Sequence, residues 1–199
     1  ITTSIGTTSK NREVNKGTPF FVDQHQDWRD RNLTDVLGAR VTFSPDTMNE
    51  ITSSVLFTSI KGKWDASSSY DHYDANHVLS EVYDRTSPDR DLDHNTDLNL
   101  NYTHKFIKKD EALSIYASRN NSDDHSVTDY VLHYYDPITN VPFPVPPLTQ
   151  HVTETEKMLR SSVQADYDLP LLHKQKLECG LKYSDRSVNQ DYLFEKYDW

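Results

Sequence analysis

The sequence predicts an all-β chain folded as an antiparallel up-and-down meander. Two observations carry that prediction. The first is strict alternation: Leu98, Leu100, Tyr102, His104 and Phe106 fall on one side, and Asp97, Asn99, Asn101, Thr103 and Lys105 on the other. A strand with one apolar face needs this rhythm. The second is the spacing of the connections. Three hairpins turn tightly at 44–49, 108–111 and 170–174, while the links between hairpins are long.

Taken in order, residues 1–13 have strand composition with weak alternation, and a polar connection at about 14–32 follows. It contains Gly17, Pro19 and the Phe20-Phe21-Val22 patch. The next hairpin, about 36–60, puts Leu37, Ala39, Val41 and Phe43 on one face, with Gly38, Arg40 and Thr42 opposite. Ser44-Pro45-Asp46 stops its first strand, because proline cannot donate to a ladder. The return strand carries Ile51, Val55 and Phe57 on one side, although Ser53 and Leu56 break its pattern.

A long, charged connection at about 61–95 leads into the hairpin at about 97–119. After Lys108-Lys109-Asp110-Glu111, alternation resumes with Leu113, Ile115 and Ala117 against Ser114, Tyr116 and Ser118. Two alternating runs joined by a short polar turn read as a β-hairpin. Another long connection, about 120–153, holds tyrosines and a proline-rich piece, Pro137 to Pro147, which suits extended polyproline and not a central strand. In the last hairpin, about 161–184, Val163, Ala165, Tyr167 and Leu169 face away from Ser162, Gln164, Asp166 and Asp168. Leu177, Cys179, Leu181 and Tyr183 complete it, and residues 185–199 read as a further polar loop.

Composition narrows the class. Among 199 residues, 35% are hydrophobic, below the roughly 45–50% (glycine included) of average soluble domains. A sheet with one face in lipid and one in water can manage with so little. The formal net charge is -10, which argues against nucleic acid as a partner, since phosphate binding needs a basic footprint. One cysteine excludes an internal disulfide framework and gives no zinc pattern; Cys179 reads as a small buried hydrophobe. No apolar run approaches the ~20 residues of a membrane helix, and no basic leader precedes Ile1-Thr2-Thr3, so the chain reads as a segment of a longer protein.

Tight turns at one end and long connections at the other match a transmembrane barrel, with short periplasmic turns and long extracellular loops. Phe43, Phe106 and Tyr167 each precede a tight turn on the apolar face, as a membrane-interface girdle requires. Asn99, Asn101, Lys105, Gln164, Asp166 and Glu178 on the other face suit a watery lumen, not a dry core. His104 is the ionisable exception on the apolar side. The expected architecture over 1–199 is therefore a single partial segment of an outer-membrane β-barrel. The alternative is a soluble secreted β-sandwich module that binds a glycan or protein partner; there, Leu98, Leu100, Leu113, Val163 and Leu181 would meet a second sheet.

The hairpins also resemble a family. DLNLNYTHKFIKKDEALSIYASRNNSDD (97–124) and SSVQADYDLPLLHKQKLECGLKYSDRSVNQDYLFE (161–195) are similar to strand–turn–strand units in the barrels of TonB-dependent receptors of Bacteroidetes type. VLGARVTFSPDTMNEITSSVLFTS (36–59) resembles them more faintly. The resemblance implies nutrient uptake across the bacterial outer membrane through a barrel of roughly 22 strands with a plugged lumen. It implies as partners the outer-membrane lipid, the rest of the barrel, a plug domain, an inner-membrane TonB-type energy-coupling protein and a surface lipoprotein. No cofactor is expected.

No phosphate loop, nucleophile elbow or HExxH motif is present, and the chain is not read as an enzyme. Asp89, Asp91 and Asp93 open like a calcium loop, but His94 and Leu100 stand where glycine and glutamate belong. His72, Asp74 and His77, or Asp123, Asp124 and His125, lack a recognised zinc spacing. Ligand contact is expected instead from the aromatics Tyr70, Tyr73, Tyr83, Tyr130, Tyr134, Tyr135 and Phe143, because tyrosine offers rigid amphipathic area at low entropic cost.

Overall fold

A computed structural model describes residues 1–16, 18–171 and 175–197. It contains one sheet of seven strands in sequence order: β1 (Thr2–Lys16), β2 (Thr18–Phe43), β3 (Asn49–Tyr73), β4 (Leu79–Lys105), β5 (Ala112–Tyr135), β6 (Leu148–Pro170) and β7 (Lys176–Tyr197). Every neighbouring pair is antiparallel. The register stays continuous but for one shift between His72 and Tyr73 at the end of β3. One face of the sheet can therefore be followed from strand to strand without interruption.

On one face, the middle rows read Ala39–Val55–Leu98 and Leu100–Ala117–Val163–Tyr183, with Ile115–Ala165–Leu181 beside them. Leu98 and Val163 are nearly half exposed and Leu181 is 83% exposed. Leu113 is half-buried. No second layer covers these side chains among the described residues: strands touch their sequence neighbours and nothing else. A soluble sandwich would bury this surface at about 25 cal/mol per Å², so the sandwich alternative fails. Cys179 lies on this face too, but exposed and not buried, because edge strand β7 is uncovered.

The opposite face is concave. Ala66, Ser68, Tyr70, Ser87, Thr128, Leu132 and Thr52, nearly all the buried side chains, lie on it. It carries Asn99 and Asn101, with Tyr116 Oη donating to Asn99 and Thr42 and Thr52 sharing a 3.1 Å hydroxyl contact. Here small and polar side chains line the inside of a curve, and they are hydrogen-bonded across strands instead of packed dry.

The strands are longer than expected. Residues 14–32, 61–95, 120–153 and 185–197, read as connections or loops, are mostly strand. Among the described residues, one short link remains of the connections, the turn Asp74–Val78, with one longer segment from Asp136 to Pro147. The reason is solvent. Beyond the apolar band both faces are wet, so Lys61, Lys63 and Asp65 on one side oppose Gly62, Trp64 and Ala66 on the other, and no apolar rhythm marks the strand. From Phe57 to Tyr73, β3 runs on for about 50 Å at roughly 3.3 Å per residue. Such a length exceeds the about 9–11 residues that cross a bilayer.

At the other end the strands stop together. Asp46 accepts the backbone N–H groups of Met48 (2.7 Å) and Asn49 (2.8 Å), an Asx turn that reverses the chain between β2 and β3. These hydrogen bonds, the side chain of Asn49 first, hold its carboxyl below the ordinary range. Asp110 closes the next turn at φ 65°. At the last, Leu171 N–H donates to Gln175 O at 2.8 Å. The rest of that turn, Leu172, His173 and Lys174, lies outside the described residues, as do Gly17, Asp198 and Trp199.

Candidate functional site

Two regions gather chemistry-bearing side chains: the tight-turn end of the apolar face and the far end of the concave face. At the tight turns, the Phe106 ring meets His104 edge-on at 4.5 Å and Tyr167 edge-on at 5.9 Å. Asn49 Oδ1 accepts from Tyr102 Oη (2.7 Å) and from His104 Nδ1 (2.8 Å). Tyr167 Oη donates to Glu111. The Tyr102, His104 and Tyr167 rings thus pair a carbon face with a hydrogen-bonded polar atom, around the wholly apolar Phe106, an arrangement that suits a headgroup boundary. His104, the misfit of the alternation, is satisfied here by Asn49. Phe43 sits on the same face in the next row, across from Ile51, and is 61% exposed.

At the far end, alternation and register put Tyr70, Tyr83 and Tyr134 side by side on β3, β4 and β5. Tyr70 and Tyr83 stack with centres 4.7 Å apart and planes 16° from parallel. Tyr83 and Tyr134 are tilted at 5.3 Å. Gln24 Nε2 donates to Tyr70 Oη at 3.1 Å, and the His72 ring lies 5.5 Å from Tyr83. Arg85, on the same face two residues along from Tyr83, holds its guanidinium carbon 5.2 Å from the ring centres of both Tyr70 and Tyr130. Four of the seven aromatics singled out therefore share one patch.

The other three go elsewhere. Tyr73 and Tyr135 point to the opposite face, where Tyr135 Oη donates to Asp84 at 2.9 Å. Phe143 stands 44% exposed in the Asp136–Pro147 segment, its N–H donating to Tyr134 O at 3.0 Å. Burial, with the neighbouring Tyr70 phenol next, pushes the Tyr83 hydroxyl up to about 12; Arg85 opposes the shift. The Tyr134 hydroxyl is raised as well, by burial and then by Glu81. Both rings stay neutral, flat and hydrogen-bond competent across the physiological range.

Asp89, Asp91 and Asp93 all face the concave side from β4, below this patch. They follow the strand at every second residue, about 6.6 Å apart. No group of three or more metal-ligating side chains gathers among the described residues. Thr128 Oγ1 donates to Asp89 at 2.5 Å. Burial first, and then a hydrogen bond and charge from Asp89, push Asp91 up to about 6. Gly62 stands opposite, and a Cβ there would come within 3.2 Å of the Asp91 side chain. The zinc triplets do not assemble. Asp124 faces the concave side, while Asp123 and His125 face away. Asp74 accepts the N–H groups of Asn76 and Val78 in its turn, and His77 stacks on Phe21 at 4.0 Å.

Arg85, Gln24, Lys10 and Arg12 escaped the sequence reading. For Arg85 a signal existed, since it lies two residues from Tyr83 and must share its face; the others join from strands paired only in the tertiary structure.

Residues 104–198, from the end of β4 through β5, β6 and β7, match the outer membrane protein beta-barrel family. No curated protein matches the chain. The single-layered meander and this match define an all-β segment of an outer-membrane β-barrel, residing in the bacterial outer membrane with its apolar face toward lipid. In such a barrel the concave polar face is the lumen side.

Proposed function

We propose that the chain supplies seven strands to the barrel of a TonB-dependent outer-membrane receptor, which takes up a nutrient. Adjacent residues carry the reading: Leu98 and Leu100 face outward uncovered while Asn99 and Asn101 face the concave side. Resemblance of the three hairpins to receptor barrels supplies the transporter part. The tight turns at 44–48 and 106–111 are periplasmic, and the Asp136–Pro147 segment is extracellular. Phe43, Phe106 and Tyr167 form the lower girdle, and Tyr70, Tyr83, Tyr130 and Tyr134 the ligand-facing patch, with Phe143 at its rim. Further strands pair with the edges of β1 and β7, a plug fills the lumen, and an inner-membrane coupling protein drives transport. A surface lipoprotein caps the extracellular end.

The full-length protein tests this. Protease added to intact cells should cut at Asp136–Pro147 and spare 106–111, and a photo-crosslinker at the plug end should capture the energy-coupling protein. Recovery in the soluble fraction would end the barrel reading. A barrel that never crosslinks to the coupling protein would end the transporter reading.

A further inference from the structure

The concave end of this acidic chain is locally basic. In a protein of net charge -10, Lys10 and Arg12 of β1 join Gln24, Tyr70, His72 and Tyr83 around a cleft of about 190 Å³. Arg85 stands beside it. Glu81 brings a carboxylate to this level, and it lies 3.6 Å from His72 Nδ1; the aspartates Asp89, Asp91 and Asp93 begin farther down the strand.

Arg85 is held in an unusual state. Its guanidinium is flanked by the rings of Tyr70 and Tyr130, yet it makes no ion pair among the described residues. Its Nε is buried with no hydrogen-bond partner, as are the hydroxyls of Ser68 and Ser87. Ser68 is directly across from Arg85 and Ser87 is its next neighbour on the same face; both are 1% exposed. Three buried donors without acceptors, gathered at one place, are rare in a finished structure. A cation fixed between aromatic faces is preorganised, and its fork of N–H groups matches a carboxylate.

We propose that this face binds a solute pairing a carboxylate with a ring that offers an apolar face. The carboxylate meets Arg85, with Lys10 and Arg12 adding attraction, and the ring lies on the Tyr70–Tyr83 stack. The inference rests on the concave face being the lumen side of a transporter barrel. A uronic acid and an aromatic acid share the required chemistry, and the probes separate them.

Calorimetry on the full-length receptor in detergent would compare galacturonate with galactose, and 4-hydroxybenzoate with 4-hydroxybenzamide. At least one acid should bind about tenfold or more tighter than its neutral partner, as a charge-assisted hydrogen bond implies. Response of the sugar pair identifies a saccharide acid, and response of the benzoate pair an aromatic acid. Arg85→Gln should erase the preference. The double variant Lys10→Gln/Arg12→Gln, at exposed positions that cannot unseat the tyrosines, should weaken the acid several-fold and flatten its salt dependence. Equal binding of acid and neutral probe, no binding of any probe, or a preference that survives Arg85→Gln would overturn the proposal. Heat-modifiable gel migration reports the barrel separately: a folded barrel without acid preference sinks this inference alone, whereas an unfolded or soluble protein sinks the transporter reading beneath it.

Discussion

Tyr70 and Tyr83 face each other in register across β3 and β4, stacked at 4.7 Å, and the Arg85 guanidinium lies 5.2 Å from the Tyr70 ring centre. The pair is the hinge of the concave patch, since Tyr83 also reaches Tyr134 and His72. Burial holds the Tyr83 phenol up to about 12. Because that value is above the ordinary 10.0, the stability it reflects is complete below pH 10 and lost as pH rises through about 12. An absorbance titration of tyrosinate should show a late-ionising phase that loses one phenol in Tyr83→Phe. Tyr83→Leu should cost about 0.5–1.5 kcal/mol per ring pair lost, read as a lower denaturant midpoint. An unchanged late phase in Tyr83→Phe would refute the assignment.

Leu100 and Asn101 are chain neighbours in different solvents. Leu100→Arg, on the lipid face, should destabilise the folded barrel in vesicles by about 2–4 kcal/mol. Asn101→Arg, on the wet face, should stay within about 0.5 kcal/mol of the parent. Urea titrations of the two variants in the same lipid settle the comparison; equal losses would mean that the faces are misassigned.

Asp91 makes stability depend on pH. Its folded pKa, about 6, exceeds the ordinary 3.8, so the folded chain holds an extra proton between those values. Stability from this group is complete below about pH 4 and is lost as pH rises through about 6. Asp91→Asn should remove that part of the pH slope and raise the melting temperature at pH 7 more than at pH 4. A slope that persists unchanged in the variant would assign it to another group.

The turn between β4 and β5 places Asp110 at φ 65°, left-handed backbone that disfavours most side chains. Asp110→Gly should therefore be neutral or stabilising, and Asp110→Val should cost about 1–2 kcal/mol. Refolding into detergent micelles, followed by gel shift, would detect both. Equal stability of the two variants would show that this turn adopts a different backbone.

Alternation made the lower half of the sheet readable from residues alone. Where lipid meets one face and water the other, every second side chain must change character. Leu98 to Phe106 and Val163 to Leu169 carry that demand in their order. The upper half was harder, because β2 before Leu37 and β3 beyond Ile60 have water on both faces. With no solvent contrast, the same strand geometry leaves no apolar rhythm, so strands passed for loops.

The candidate patch divides similarly. Tyrosines mark themselves by type, and Tyr83 and Arg85 share a face because alternation compels it. What no count along the chain could determine was which strand lay beside which, and in what register. Pairing brought Tyr70, Tyr83 and Tyr134 into one row, while alternation within β3 and β5 sent Tyr73 and Tyr135 to the other face. Pairing also set Lys10, Arg12 and Gln24 around the same cleft. The sequence by itself thus determined an antiparallel sheet with one face for lipid, because solvent contrast is written at every second residue. The tertiary structure alone decided the patch, because hydrogen-bond register acts between residues that are distant in the chain.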